Sequence, residues 1–86
     1  MFYIYFAKCL KNKKIYVGMT SKSPPQRIKE HNSGSNKWSN QNKPLKLLYY
    51  EVYICKEDAL LREKFYKTGF GKRIKYAIIS EIEKDL

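Results

Sequence analysis

Two apolar runs separated by four polar residues constrain the fold of this chain most. Residues 2–10 and residues 15–20 are rich in β-branched and aromatic side chains, which favour extended strands. The polar segment KNKK between them is typical of a tight turn. The pattern therefore predicts an antiparallel β-hairpin at the start of the chain.

The length of that turn decides which side chains share a face of the hairpin, because successive side chains of a strand point to opposite faces. The turn can have two central residues, either Lys11 and Asn12 or Asn12 and Lys13. Such a turn places Tyr5 and Tyr16 on the same face, whereas a three-residue loop separates them. Both outcomes stay open from the sequence.

A short helix is predicted after the second strand. Ser23 and Gln26 have the spacing of a capping box, and Pro24 suits the first helical turn because its missing N–H costs nothing there. The helix should begin near Pro24 and end within residues 32–34, where asparagine and glycine tolerate the left-handed conformation. Arg27 and His31 lie four residues apart and therefore share one face of this helix.

The middle of the chain predicts a loop and then a strand. Residues 35–46 are polar, include Trp38, and show neither helical nor strand periodicity, so we expect a loop there. Residues 47–54 are aromatic and β-branched, which indicates the third strand of the sheet.

Two helices are predicted in the rest of the chain. Residues 57–68 have helical spacing and precede Gly69, which suits a helix end. A second amphipathic helix is expected beyond Gly71, where apolar residues recur every four positions at Ile74, Ile78, Ile82 and Leu86. Together the elements predict an α+β fold, a small three-stranded antiparallel sheet flanked by helices, in one domain over residues 1–86.

The charge of the chain is high and unevenly distributed. Its 18 Lys and Arg residues outnumber 8 Asp and Glu residues, which gives a formal net charge of +10. The first 50 residues contain a single acidic residue, Glu30. Such a basic segment favours a polyanionic partner, with nucleic acid ahead of an anionic membrane. The alternative is a lysine-rich surface that only maintains solubility.

The apolar content of the chain indicates a cytoplasmic protein. The longest apolar runs fall far short of the roughly 20 residues that cross a bilayer, and residues 2–7 lack the basic leader and cleavage site of a secretory signal. Cys9 and Cys55 show no metal-ligand spacing, so we expect them to be reduced thiols.

Several residues suggest chemistry, although each has a plain structural explanation. A tyrosine in a strand is usually a packing residue, Arg27 and His31 can be solvated, and Glu63 can simply pair with Lys67 at i+4. Gly18 within a strand usually marks a bulge or a close approach, and a phosphate could approach there.

Taken together, four segments resemble the GIY-YIG nuclease superfamily, in particular its small stand-alone bacterial members. The segments YIY at residues 3–5 and YVG at residues 16–18 resemble the two-part signature. RIKEHNSG at residues 27–34 is similar to the first helix of these proteins, and ALLREKFYKTGFGK at residues 59–72 is similar to their metal-binding helix. One departure is Tyr3, which stands where the first motif has its glycine.

The resemblance implies a metal-dependent endonuclease that hydrolyses phosphodiester bonds in DNA, with RNA a less favoured substrate. Catalytic roles are implied for Tyr5, Tyr16, Arg27, His31 and Glu63. Glu63 would hold one Mg²⁺ or Mn²⁺ ion, and Arg27 would bind phosphate oxygens. The general base stays open, because a tyrosine needs nearby cations to ionise at neutral pH.

Substrate binding is predicted at Gly18 and at basic residues that would contact the DNA backbone. The lysines are Lys8, Lys11, Lys13, Lys14, Lys22, Lys37, Lys43 and Lys46. Trp38 would either stack on an unpaired base or cover the core of its own domain.

Other functions remain open from the sequence. The main alternative is a nucleic-acid-binding module that has this fold without catalysis, and the weakest is a basic domain that docks on proteins or membranes. A nuclease of 86 residues has little surface for recognition, so a protein partner that supplies specificity and a role in DNA repair or recombination are expectations. The oligomeric state is open.

Overall fold

A three-stranded antiparallel sheet with helices against both faces forms the framework of the protein. The computed structural model describes residues 1–34 and 37–84. Its elements are β1 (Phe2–Cys9), β2 (Ile15–Thr20), α1 (Pro24–Asn32), α2 (Lys37–Gln41), β3 (Leu45–Tyr53), α3 (Lys56–Tyr66) and α4 (Gly69–Lys84). The strand order is β2-β1-β3. The predicted α+β class and three-stranded sheet are therefore confirmed.

The register of the hairpin places both motif tyrosines on one face. Tyr5 lies opposite Gly18, and Ala7 lies opposite Tyr16. Because paired residues point to the same face and Tyr16 lies two residues from Gly18, Tyr5 and Tyr16 share a face. This register corresponds to a turn centred on Lys11 and Asn12, one of the two that the sequence allowed.

The alternation of side chains along β1 builds two hydrophobic cores, one on each face of the sheet. The core beneath α3 and α4 contains buried Ile4, Phe6, Val17, Ala59, Tyr66 and Ile79. The core on the side of α1 contains buried Tyr5, Ala7, Cys9, Ile28 and Leu45. Tyr5 is therefore anchored in a core while its ring lies on the same face as Tyr16.

The cap of α1 confirms the start that the sequence predicted. Ser23 Oγ accepts a hydrogen bond from the Gln26 backbone N–H at 3.4 Å, and Pro24 occupies the first turn. The helix ends at Asn32, within the expected range, and Gly34 beyond it has a φ of 74°. These contacts fix the direction of α1 and of the two functional candidates that it carries.

The loop predicted over residues 35–46 is wrong in two places, although residues 35 and 36 lie outside the described part of the chain. Lys37–Gln41 forms α2, a helix too short to show a period in the sequence. The third strand begins at Leu45 rather than at residue 47, because Asn32 holds the Leu45 backbone by two hydrogen bonds. Asn32 Nδ2 donates to Leu45 O at 3.0 Å, and Leu45 N donates to Asn32 Oδ1 at 2.7 Å.

Gly71 lies inside α4, although the sequence placed the helix beyond it. The Thr68 hydroxyl accepts a hydrogen bond from the Gly71 N–H at 3.0 Å, so the helix begins at Gly69. A Cβ atom on Gly71 would lie 1.7 Å from the Phe65 carbonyl oxygen, so only glycine allows α4 to pass so close to α3.

Ile74, Ile78 and Ile82 are partly buried along α4, and Leu86 of the predicted stripe lies outside the described residues.

Two further expectations were tested by the structure. None of the described helices is long and apolar enough to cross a bilayer. Cys9 is buried and Cys55 is exposed, and neither forms a disulfide. The predicted cytoplasmic location stays a prediction.

A carboxylate that the sequence did not single out joins β3 to α3. Glu51 accepts hydrogen bonds from the hydroxyls of Tyr49 at 2.8 Å, Tyr53 at 2.5 Å and Tyr66, and from Arg62 Nε at 3.0 Å. The Arg62 guanidinium also lies 4.5 Å from the centre of the Tyr66 ring. We call these five residues the Glu51 network.

The ionisable groups of the Glu51 network do not change their protonation state near neutral pH. Burial alone would raise the pKa of Glu51, but hydrogen bonds from Tyr53, Tyr66, Arg62 and Tyr49 outweigh burial and leave this pKa lowered. Burial and the contact with Glu51 raise the pKa values of Tyr49 and Tyr53 to about 12. The carboxylate is therefore ionised while the phenols remain donors.

Glu51→Gln should reduce the free energy of unfolding by about 3 kcal/mol, because three hydroxyls and Arg62 lose a charged acceptor. Urea denaturation measures the change. The control is Glu81→Gln, which removes an exposed carboxylate paired only with Lys84 and should change stability by less than about 0.5 kcal/mol. Equal effects of the two substitutions would contradict this role of the Glu51 network.

Candidate active site

Tyr5 lies at the centre of the candidate site, seated directly on Gly18. The Tyr5 side chain is 2% exposed, and a Cβ atom on Gly18 would lie 2.6 Å from both its Cζ and its hydroxyl oxygen. The same Cβ atom would lie 2.9 Å from a ring carbon of Tyr16. Glycine is therefore required here by the Tyr5 ring. Because Gly18 is itself buried, the phosphate contact predicted for it stays a prediction.

The two tyrosines differ in their access to solvent. Their ring centres are 6.0 Å apart, and Tyr16 is 37% exposed. Burial, followed by the interaction with Tyr16, raises the pKa of Tyr5 to about 12, although Arg27 lowers it. A tyrosine needs nearby cations to ionise at neutral pH, and Arg27 is one such cation. In the structure, burial outweighs Arg27, so the phenol is protonated at neutral pH.

Arg27 and Glu63 influence the Tyr5 phenol from different helices. Both residues act electrostatically on its pKa, Arg27 by lowering it and Glu63 by raising it. Arg27 lies on α1 and Glu63 lies on α3. The charges of the guanidinium and the carboxylate therefore both influence the phenol, and the convergence of these residues into one site stays a prediction.

An open cleft with a volume of about 410 Å³ lies beside Arg27. Lys22 and Lys56 also line this cleft, and the one carboxylate in its lining is Glu30. Glu30 Oε1 lies 3.8 Å from Arg27 Nη1, and Glu30 Oε2 lies 2.7 Å from Lys22 Nζ. The cleft therefore retains net positive charge and can accept an anionic group such as a phosphate.

His31 is enclosed by the site rather than solvated. It is 3% exposed, and its Nδ1 lies 3.4 Å from Ser39 Oγ. Within the described ranges, its Nε2 is buried and has no hydrogen-bond partner. Burial, followed by the charge of Arg27, lowers the pKa of His31. The imidazole is therefore neutral near pH 7.

Glu63 presents a partly accessible carboxylate. Its side chain is 23% exposed, and Lys67 Nζ lies 3.8 Å from its Oε2, so the simple i,i+4 ion pair is also formed. This distance is too long for a hydrogen bond, so Lys67 leaves the carboxylate oxygens available. The plain structural explanation and a role in metal binding are therefore compatible.

The donor set fits a hydrated magnesium or manganese ion. Residues 1–34 and 37–84 contain no group of three or more His, Cys, Asp and Glu side chains that could hold a metal. Such a closed set is what zinc requires, whereas magnesium keeps several waters and uses one or two carboxylates together with phosphate oxygens. Glu63 supplies one such carboxylate, so it is a candidate ligand for a hydrated divalent ion.

The lysines predicted to bind DNA fall into two groups. Lys8 lies on the sheet face opposite Tyr5 and pairs with Glu83 of α4 at 2.6 Å, so the structure does not bring it to the site. Lys22 lines the cleft but is paired with Glu30. Lys14, Lys37 and Lys43 are exposed and have no acidic partner in the described part of the chain. Their DNA contacts stay predictions.

Trp38 packs against Tyr16 and His31, a contact that the sequence did not indicate. Its ring centre lies 5.0 Å from that of Tyr16 and 4.6 Å from that of His31. Its neighbour Ser39 is buried against His31. No periodic pattern in residues 35–46 could have revealed this arrangement, because it depends on the position of α2 against α1.

Comparisons with known proteins identify the family of the chain. The family model for the GIY-YIG catalytic domain matches residues 1–77. A UPF0213 protein of Staphylococcus saprophyticus is 39% identical over 80 residues, which cover 92% of this chain and 94% of the relative. A UPF0213 protein of Streptococcus pyogenes is 33% identical over 84 residues, which cover 96% of this chain and 89% of the relative. No solved structure gives a significant match.

His31 is the single histidine of the chain, so its titration can be followed without ambiguity. We expect its ring resonances in NMR spectra to titrate below pH 6.5, because burial and Arg27 disfavour the charged form. The unfolded chain then binds a proton more readily than the folded one, so stability is complete above about pH 6.5 and falls at lower pH.

The control variant is His31→Gln, which cannot titrate at this position. Its free energy of unfolding should therefore not show the decrease below about pH 6.5 that His31 causes. A measured pKa at or above 6.5 would contradict the enclosed, neutral imidazole.

Proposed function

Because the chain belongs to the GIY-YIG nuclease family, we propose that it is a metal-dependent endonuclease that hydrolyses phosphodiester bonds in DNA. The observation that carries this proposal is that Arg27 from α1 and Glu63 from α3 both act electrostatically on the Tyr5 phenol. A structural tyrosine would need neither a guanidinium nor a carboxylate from two separate helices. The high positive charge of the chain supports a polyanionic substrate.

Arg27 would bind the phosphate. Its planar guanidinium presents paired N–H donors that match non-bridging phosphate oxygens, and it lines the positively charged cleft. A phosphate there would compete with Glu30 for Arg27, and their 3.8 Å separation makes Glu30 a weak competitor. Arg27 would thus position the phosphate and stabilise its charge during the reaction.

Glu63 would hold the metal ion through a carboxylate oxygen. A divalent ion bound there would stabilise the negative charge that develops on the leaving oxygen. Because the Lys67 side chain is exposed and its Nζ lies 3.8 Å from this carboxylate, it can move aside without breaking a hydrogen bond. The choice between Mg²⁺ and Mn²⁺ is part of the proposal.

Tyr5 and Tyr16 would orient the attacking water. With the pKa of Tyr5 at about 12, only about one side chain in 10⁵ would be ionised at pH 7, so the Tyr5 hydroxyl acts first as a hydrogen-bond donor. A role as general base requires more positive charge near this phenol than Arg27 provides alone. Tyr16 is exposed and can contact the water and substrate directly.

A neutral His31 completes the proposed proton pathway. Its lowered pKa leaves one ring nitrogen able to accept a proton near pH 7, and its ring centre lies 6.4 Å from that of Tyr16. We assign it the orientation of Tyr16 or the transfer of a proton from the water. A role in DNA repair or recombination is a further expectation from the family.

The second candidate is a DNA-binding module without catalysis. The observation that favours it is the raised pKa of Tyr5, which leaves no ionised phenol at neutral pH. Such a module would bind DNA with the same salt dependence but would not cut it. The two candidates differ in one observable, the hydrolysis of the DNA backbone.

Cleavage of plasmid and branched DNA in the presence of Mg²⁺ or Mn²⁺ tests the proposal. The wild-type protein should cut, and EDTA should abolish cutting. Glu63→Gln and Tyr5→Phe should each lower the rate at least about 100-fold, because each removes a group at the reacting phosphate. Gel electrophoresis of the products under single-turnover conditions measures the rates.

Matched controls lie on α4, away from the site. Glu81→Gln and Tyr76→Phe change the same residue types at exposed positions and should retain the wild-type rate. Cleavage that survives in Glu63→Gln would overturn the assignment of the metal ligand. DNA binding without any cleavage by the wild-type protein would support the binding module instead.

A further inference from the structure

A second cavity opens beside Tyr16 and shares no lining residue with the Arg27 cleft. Its volume is about 280 Å³, and Tyr16, Trp38, Lys14 and Asn42 are among the residues that line it. Arg27 is not among the lining residues. Of the residues assigned to the phosphate chemistry above, only Tyr16 lines this cavity, so the rest of the cavity requires its own explanation.

The position of Trp38 argues against a role in covering the core. Trp38 is 44% exposed, and it belongs to neither of the two hydrophobic cores. It packs instead on Tyr16 and His31, with ring centres 5.0 Å and 4.6 Å away. Two rings of the candidate site therefore hold an exposed indole at the edge of a cavity.

The chemistry of the cavity selects a flat aromatic ligand that carries negative charge. Trp38 and Tyr16 offer aromatic surfaces, Lys14 supplies a positive charge, and no carboxylate lines the cavity. Lys14 has no acidic partner among the residues that the structure describes, so its charge is available to the ligand. A nucleotide combines these two properties, a base that stacks and a phosphate that pairs with lysine.

We propose that this cavity receives the base of an unpaired nucleotide next to the phosphate that is cut. The volume is just below the roughly 300 Å³ at which cavities for drug-sized ligands begin, so it suits one ring system. Tyr16 belongs both to the candidate site and to the cavity, so one nucleotide can reach both. The inference rests on the proposed function and adds a substrate class, DNA with unpaired nucleotides.

A paired base cannot enter the cavity without leaving its stack. Unstacking costs a few kcal/mol for a paired base and least for a base that is already unpaired. The cavity therefore favours flaps, gaps and single strands over a continuous duplex. Because stacking on an aromatic ring tolerates every base, the preference concerns structure and not sequence.

Trp38 is the single tryptophan of the chain, so its fluorescence reports directly on this cavity. The experiment uses the Glu63→Gln variant, which leaves the DNA intact, and titrates it with an oligothymidylate, a blunt duplex and a duplex with a single-stranded flap. Fluorescence anisotropy of labelled DNA measures binding in parallel. We expect quenching of Trp38 by the single strand and the flap but not by the blunt duplex.

Substitution of Trp38 separates stacking from a structural role. Trp38→Leu should weaken binding of the single strand and the flap about ten-fold and leave binding of the blunt duplex unchanged. Trp38→Phe retains an aromatic ring and should recover part of the loss. The control is Tyr76→Leu, which removes an exposed aromatic side chain of α4 and should affect no substrate.

The outcomes distinguish this inference from the proposed function, because quenching does not require cleavage. Unchanged Trp38 fluorescence while anisotropy shows DNA binding would overturn the inference, and so would equal losses for all three DNAs in Trp38→Leu. If the wild-type protein cleaves DNA but either of these results is found, the proposed nuclease function would still be supported. Quenching without cleavage would instead support the cavity and overturn the nuclease.

Discussion

The contact between the Tyr5 ring and Gly18 is the constraint on which the site depends. The register of β1 and β2 places them opposite one another, and the missing Cβ of Gly18 provides the space that the phenol fills. A register shifted by one residue would move Tyr16 to the other face of the sheet. The hairpin therefore does more than stabilise the fold, because its register places the Tyr5 and Tyr16 side chains on one face of the sheet.

The two faces of the sheet carry different helices, and the candidate residues come from both faces. Beneath α3, the Glu51 network connects β3 to Arg62 and Tyr66. The next residue after Arg62 is Glu63, whose carboxylate acts on the Tyr5 phenol. The contacts that hold α3 on one face thus also fix the position of the proposed metal ligand. On the other face, α1 and α2 enclose His31 and the Tyr16 ring.

Features determined by local patterns could be predicted from the sequence, and features determined by tertiary contacts could not. Alternation predicted the strands, and the Ser23 cap predicted the start of α1. The helix around Trp38 was missed because five residues show no period. The Glu51 network was missed because its phenols converge only after folding. The resemblance indicated Tyr5 as a candidate, but its raised pKa depends on burial that no sequence pattern reveals.

The position of a bound divalent ion tests the account most directly. A crystal of the protein soaked in Mn²⁺ should show an anomalous peak at about 2 Å from a Glu63 carboxylate oxygen, with the remaining ligands being water. The peak should be absent from a Glu63→Gln crystal treated in the same way. An ion bound at any other carboxylate, or a peak that persists in the variant, would contradict the convergence of these residues into one metal-dependent site.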